Sequence, residues 1–267
     1  MHIPSPLLPF TLLPFLATAS PVNLARLSPG TSPHPGYFVL AGDSTTASPY
    51  GSGGGWGDGF LNTTLTGGAT GKNYGHNGAT TASFRDDGDW AEVLEEVKSN
   101  KGSKSVWVTI QQFGHNDQKD DSGVTLEQYS ANLKKFAQEV KDAGGNPILV
   151  TPLSRRSFSS GKVKEDLAEQ RDATLAVAQE NSVLVLDLNE ASIAYLNAIG
   201  EDNAHRYNRV DDDNTHLNVA GSEVFGNMVS WLMTKSDESS ELGQWTRPEE
   251  EIVSAFEKGT FYFPEES

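Results

Sequence analysis

The sequence predicts an α/β protein of three layers (α/β/α), with helices covering both faces of a central parallel sheet of about five strands. Two observations carry the prediction. Short continuous apolar runs alternate along the chain with longer segments of helical period, the pattern of buried strands joined by right-handed helical crossovers. A length of 267 residues also suits one large undivided core.

The first strand spans 37–41, where Tyr37-Phe38-Val39-Leu40-Ala41 is apolar throughout and Gly42 ends the run. A helix at 56–65, a strand near 72–76 and a helix at 86–98 follow. The third strand, 105–112, reads Ser105-Val106-Trp107-Val108-Thr109-Ile110-Gln111-Gln112. A helix at 125–143 leads to a strand at 147–151, and a helix at 163–181 leads to a strand at 183–187. Helices at 189–199 and 218–234 complete the alternation. Apolar residues recur with helical period from Leu217 to Trp231, so the start of this helix anchors the loop before it.

Three segments are expected: a leader at 1–19, a catalytic-size domain at 20–235 and an acidic tail at 236–267. In the leader, Leu7 to Leu16 is mainly apolar and Ala17-Thr18-Ala19 resembles a cleavage site, the pattern of a secretory signal peptide, although no Lys or Arg precedes it. The mature protein is therefore expected to be soluble and secreted; a monomer is expected as well. In the tail, Trp245, Phe256, Phe261, Tyr262 and Phe263 interrupt the acidic residues and predict partial packing on the domain. Asn62-Thr63-Thr64 is the single N-glycosylation sequon, which makes Asn62 a candidate attachment site. Cysteine is absent, so disulfides, thiolate chemistry and cysteine-ligated zinc are excluded. A formal net charge of −16 argues against nucleic acid and anionic membrane as partners.

Two short segments carry the chemistry. Gly42-Asp43-Ser44-Thr45 follows the first strand, and Asp213-Asn214-Thr215-His216 precedes the last helix. A serine hydroxyl attacks an ester only with a base in hydrogen-bond reach and a third group holding that base in one tautomer. Ser44, His216 and Asp213 can fill these roles. The turn beyond a strand's carboxyl end is also where open α/β sheets place their ligands. Each residue alone has a plainer reading. Ser44 fits a turn or a helix cap, and Asp211-Asp212-Asp213 fits a solvated acidic turn. That run lacks the oxygen spacing and terminal glutamate of an EF-hand, so no metal site is expected.

Four ordered blocks resemble the SGNH (GDSL-like) hydrolases, and within them the rhamnogalacturonan acetylesterases: Ala41-Gly42-Asp43-Ser44-Thr45, Asn77-Gly78-Ala79-Thr80, Phe113-Gly114-His115-Asn116-Asp117 and Asp213-Asn214-Thr215-His216-Leu217-Asn218. The resemblance implies a flavodoxin-like fold, Ser44 as nucleophile, His216 as general base and Asp213 as its orienting acid. It also implies an oxyanion hole made by the backbone N–H groups of Ser44 and Gly78 and the Asn116 side-chain amide. No cofactor is implied. The implied activity is removal of acetyl groups from a pectic polysaccharide. The rivals are another acylated substrate or a noncatalytic polysaccharide-binding protein on the same scaffold. The absence of cysteine departs from family members that carry disulfides.

Outside these blocks, Trp56 is a candidate for stacking on a sugar face. Arg155 and Arg156, directly after the fourth predicted strand, are candidates for pairing with a galacturonate carboxylate. Gly51-Ser52-Gly53-Gly54-Gly55 lacks the lysine of a phosphate loop and reads as a mobile loop near the nucleophile. Asp43 is expected to hold the nucleophile turn, and His115 has no assigned place in the triad.

Overall fold

The computed structural model describes residues 34–50, 53–111, 113–236 and 238–264; the leader expected at 1–19 lies outside them. In chain order the described strands are β1 (Gly36–Gly42), β2 (Thr70–Gly75), β3 (Ser105–Gln111), β4 (Asn146–Val150), β5 (Phe158–Ser159), β6 (Lys162–Val163) and β7 (Leu184–Leu186). The helices are α1 (Gly57–Thr63), α2 (Ser83–Asp86), α3 (Asp89–Asn100), α4 (Leu126–Ala143), α5 (Ala168–Asn181), α6 (Leu188–Ile199), α7 (Glu201–His205), α8 (Val219–Lys235), α9 (Ser239–Leu242) and α10 (Glu250–Lys258).

Five strands pair in parallel in the order β2-β1-β3-β4-β7, while β5 and β6 form a small antiparallel hairpin. The chain leaves β1 for β2 on one side and returns to β3 on the other. This reversal makes a topological switch point between the carboxyl ends of β1 and β3, the place where such sheets open a ligand crevice. Alternation along the strands fills two cores. Phe38, Leu40, Trp107, Ile148 and Val150 face one side with Phe60, Leu196, Phe225 and Ile252. Tyr37, Val39, Val108 and Leu149 face the other with Trp90, Leu133 and Phe136. Full burial of each such side chain contributes about 1.5 to 3 kcal/mol. Among the described residues no helix is long and apolar enough to cross a membrane.

The ends of the helices follow local chemistry. At α4, the Thr125 hydroxyl accepts from Gln128 N at 3.2 Å and the Gln128 side chain accepts from Thr125 N at 2.8 Å, a reciprocal cap. At α8, Asn218 Oδ1 accepts from Gly221 N at 2.8 Å, which fixes the chain two residues after His216.

The structure departs from the sequence reading in two helices. The helix expected at 163–181 begins at Ala168, because 158–163 turn back as β5–β6 around Ser160 and Gly161, with φ of 51° and 75°. Two successive positive φ values are the geometry of a tight primed hairpin turn. The helix expected at 86–98 begins instead at Asp89, after Gly88 with a φ of 99°, and runs to Asn100, with the short α2 before it. The packing expected of the segment after Lys235 is present: Leu242, Trp245, Ile252 and Ala255 belong to the core beneath α8, with Phe256, Phe261, Tyr262 and Phe263 packed against it, and a β-carbon on Gly36 would lie 2.6 Å from the Trp245 ring.

Candidate active site

The carboxyl ends of the strands deliver the candidate residues. Ser44 follows β1, Gly78 follows β2 and Asn116 follows β3, so nucleophile and amide flank the switch point. Backbone bonds tie the three turns together. His76 N donates to Gly42 O at 2.9 Å, and Ala79 N donates to His76 O at 3.2 Å. Asn116 Nδ2 donates to Ala79 O at 3.0 Å. The next residue, Asp117, accepts from Thr81 N at 2.8 Å and from Gly114 N at 3.1 Å, which clamps the second and third blocks to each other. Gly78 is exposed, with a φ of 81° and open space where a side chain would stand.

His216 reaches the nucleophile from the far end of the chain. Its Nε2 lies 2.9 Å from Ser44 Oγ, and its Nδ1 lies 3.1 Å and 3.0 Å from the two carboxylate oxygens of Asp213. The same carboxylate accepts from the backbone N–H groups of Thr215 and His216 at 3.2 Å and 3.0 Å, and from Arg209 Nε at 3.2 Å. Burial alone would raise the Asp213 carboxyl. The donors and the facing imidazole outweigh it and hold the group below the usual carboxylate range. Asp213 thus stays anionic and fixes a Nδ1–H tautomer, leaving Nε2 to accept the serine proton.

Several residues outside the motifs support this arrangement. Gly54 bridges nucleophile and base: its N–H donates to Ser44 O at 3.2 Å and its carbonyl accepts from Leu217 N at 2.8 Å. A β-carbon there would lie 2.6 Å from the His216 β-carbon, so only glycine permits the approach. Gly53 to Gly55 are buried, which corrects the expectation of a mobile loop; Gly51 and Ser52 lie outside the described residues. Sequence reasoning could have flagged the run as a close-approach site rather than a flexible one.

Two of the expected substrate contacts are overturned. Trp56 is fully buried and meets Phe60 edge to face, with centroids 6.2 Å apart, so it cannot stack on a sugar. Arg156 is also fully buried. Its Nη2 donates to His216 O at 2.7 Å and its Nε to Asn208 Oδ1 at 2.6 Å, so it holds the base loop instead of meeting solvent. Arg155 retains 17% side-chain exposure and braces the same region. Its Nε donates to Thr215 Oγ1 at 3.2 Å and its Nη1 to Asp166 at 3.3 Å. Asn62 is exposed on α1.

Lys119 was not anticipated. Its ammonium donates to Asn116 Oδ1 at 2.7 Å. An ammonium only donates and the Ala79 carbonyl only accepts, so the orientation of the Asn116 amide is settled from both ends, with its NH2 edge on the Ala79 side. On the reading of Asn116 as an oxyanion donor, replacing Lys119 with methionine is expected to lower kcat about tenfold on a small acetate ester with KM little changed, since one loosened donor forfeits only part of the roughly 100- to 1000-fold such a donor supplies. Steady-state kinetics of Lys119→Met and Lys119→Arg check this, with arginine restoring most of the loss.

A three-layer parallel α/β fold with this serine, imidazole and carboxylate at its switch point defines a carboxylic ester hydrolase. A family model for the GDSL-like lipase/acylhydrolases matches residues 40–224, and the chain belongs to that family. Among its relatives, the rhamnogalacturonan acetylesterase RhgT of Bacillus subtilis (strain 168) is 30% identical over 207 residues, covering 72% of this chain and 86% of RhgT. The probable rhamnogalacturonan acetylesterase YesY of the same organism is 26% identical over 204 residues, covering 73% and 90%. The crystal structure of YxiM from Bacillus subtilis superposes with a TM-score of 0.66 at 23% identity, covering 75% of this chain and 56% of that one. The acetylxylan esterase Axe2 of Geobacillus stearothermophilus gives 0.53 at 21% identity, covering 78% and 94%. These structures support the fold.

Proposed function

We propose that this esterase removes O-acetyl groups from a secreted-enzyme substrate, the pectic polysaccharide rhamnogalacturonan, outside the cell. The observation that carries the catalytic reading is the 2.9 Å contact between Ser44 Oγ and His216 Nε2, with Asp213 closing on the opposite ring nitrogen. Ser44 Oγ attacks the acetyl carbonyl as His216 takes its proton. The tetrahedral oxyanion is met by the N–H groups of Ser44 and Gly78 and by the Asn116 amide. His216 then protonates the departing sugar hydroxyl, leaving an acetyl-enzyme. Water, deprotonated by the same imidazole, releases acetate and restores Ser44.

The likeness to RhgT supports the pectic substrate, and the apolar leader supports secretion. Acetate release should be measured from acetylated rhamnogalacturonan, from acetylated xylan and from nitrophenyl esters of lengthening acyl chain. The expected result is a kcat/KM on rhamnogalacturonan at least about tenfold above that on xylan, the equivalent of about 1.4 kcal/mol of transition-state discrimination, with steep loss beyond short acyl chains. Equal or greater rates on xylan would reject rhamnogalacturonan as the substrate while leaving the esterase intact.

A further inference from the structure

Beneath the nucleophile lies a pair of titratable groups that the triad does not use. Asp43 is fully buried and His115 retains 3% exposure. Asp43 Oδ1 is satisfied, accepting from Thr45 N at 2.8 Å and from Thr45 Oγ1 at 2.6 Å. Asp43 Oδ2 and His115 Nδ1 have no hydrogen-bond partner, and they face each other at 3.9 Å. No donor reaches the second Asp43 oxygen, so an ionised carboxylate there would be buried with one oxygen unsatisfied. A carboxylate oxygen and an imidazole lone pair are both acceptors. Facing each other in a buried site, they are compatible only if one of them carries a proton.

We propose that Asp43 carries a proton and, with a neutral His115 beside it, forms an uncharged positioning pair under Ser44. An ionised Asp43, one residue from the Ser44 N–H, would oppose the negative charge that develops on the substrate oxygen there. A neutral pair removes that opposition and keeps the turn hydrogen-bonded. The surrounding charges agree. Burial pushes the Asp43 carboxyl up to about 7, with Asp117 adding to the rise and the Thr45 donors and Arg155 opposing it. Burial drives His115 well below the usual imidazole range, helped by Arg155, His216 and Arg156. The charged and titratable groups that face the pair are Asp117, Arg155, Arg156, His216 and Tyr129. The proton therefore resides on Asp43, and its loss as pH rises through about 7 places an anion beside the oxyanion site.

The sign follows for stability as well. A carboxyl whose folded pKa is raised gives stability that is complete below its unfolded value, near 4, and is lost as pH rises through about 7.

The proposal rests on Ser44 as nucleophile for its kinetic arm only. The test compares native protein with Asp43→Asn, His115→Gln and the double variant, using a small acetate ester. Asparagine reproduces the neutral carboxyl, donating to His115 Nδ1 and accepting from Thr45. Glutamine at 115 offers a donor to an ionised Asp43 and so stabilises the anion. In Asp43→Asn the basic-side fall in kcat/KM that begins near neutrality should disappear. In His115→Gln that fall should move at least one pH unit lower, and the double variant should regain the Asp43→Asn profile. Difference infrared spectra should show a protonated carboxyl at pH 5 that is lost above pH 8 and is absent from Asp43→Asn, whether or not the enzyme turns over. Superimposable pH profiles, an Asp43→Asn variant that is folded but inactive at every pH, a variant that does not fold, or an ionised Asp43 at pH 5 with neutral His115 would each overturn the proposal. Failure of Ser44 as nucleophile would instead abolish the kinetic comparison and leave the infrared result standing.

Discussion

Ser44→Ala is expected to lower kcat by about a million-fold on a small acetate ester, since removing the nucleophile of a serine triad costs about as much as removing the whole triad. The fold should survive. Ser44 is 6% exposed and its hydroxyl meets His216 Nε2, so the change forfeits one hydrogen bond, on the order of 1 kcal/mol, and leaves no cavity of consequence. His216→Ala should fall to a similar level, and the double variant should fall little further, because the two act as a unit. Asp213→Asn should cost less than either. It loses the charge that fixes the tautomer, yet the backbone N–H groups of Thr215 and His216 retain an oxygen to bond. The checks are kcat/KM for the four variants, circular dichroism and trapping of a serine-directed phosphonate. A Ser44→Ala enzyme that kept one part in a hundred of its activity, or a phosphonate that labelled another residue, would remove Ser44 from the mechanism.

How much of this site was legible depends on whether the chemistry is local. The blocks at 42–45, 77–80, 113–117 and 213–218 each carry a residue type that the reaction requires, in turns that glycine or a strand end marks. That the strands run parallel follows from the alternation of buried runs and helices; the order that makes β1 and β3 neighbours, and so places Ser44 and Asn116 on adjacent strand ends, does not. What escaped the reading is partnership across long sequence distance. Trp56 and Arg156 have the residue types of sugar and carboxylate contacts, and nothing in their neighbours discloses that one lies under Phe60 and the other under the His216 carbonyl. Gly54 looks like flexibility in one dimension and is a closely packed bridge in three. Lys119 has the composition of any surface lysine until Asn116 Oδ1 is found 2.7 Å away. The break at Ser160-Gly161 was missed for a different reason: a two-residue turn with short flanking strands is easily absorbed into the helical pattern that follows it.

Replacing Arg156 with methionine should give the largest effect of any residue outside the triad blocks, and should do so without any role in binding substrate. The guanidinium is fully buried, and burial pushes its pKa down to about 9, so it remains charged at neutral pH at a solvation cost. What it gains is a fork of donors. Asn208 Oδ1 and the carbonyls of His216 and Asp213 accept from it at 2.6, 2.7 and 3.4 Å. Methionine fills similar volume but leaves Asn208 Oδ1 and the Asp213 carbonyl unpaired, each worth roughly 1 to 3 kcal/mol, while the His216 carbonyl keeps Arg209 N at 2.9 Å. Part of that is returned because no charge is buried any longer. A net loss of about 3 kcal/mol, on the order of 10 °C in Tm, is the expected balance. The His216 carbonyl also loses one of its two donors, and the Asn208 and Asp213 groups beside it lose theirs; a displacement of about 1 Å at a catalytic group costs about 100-fold in rate, so kcat should fall by up to that order. Lysine should not rescue, because a single ammonium cannot reproduce the fork. The decisive comparison is between substrates: a loop-holding Arg156 predicts equal loss on nitrophenyl acetate and on the polymer. A residue that paired with a uronate would spare the small uncharged ester, and that outcome would return Arg156 to the binding surface.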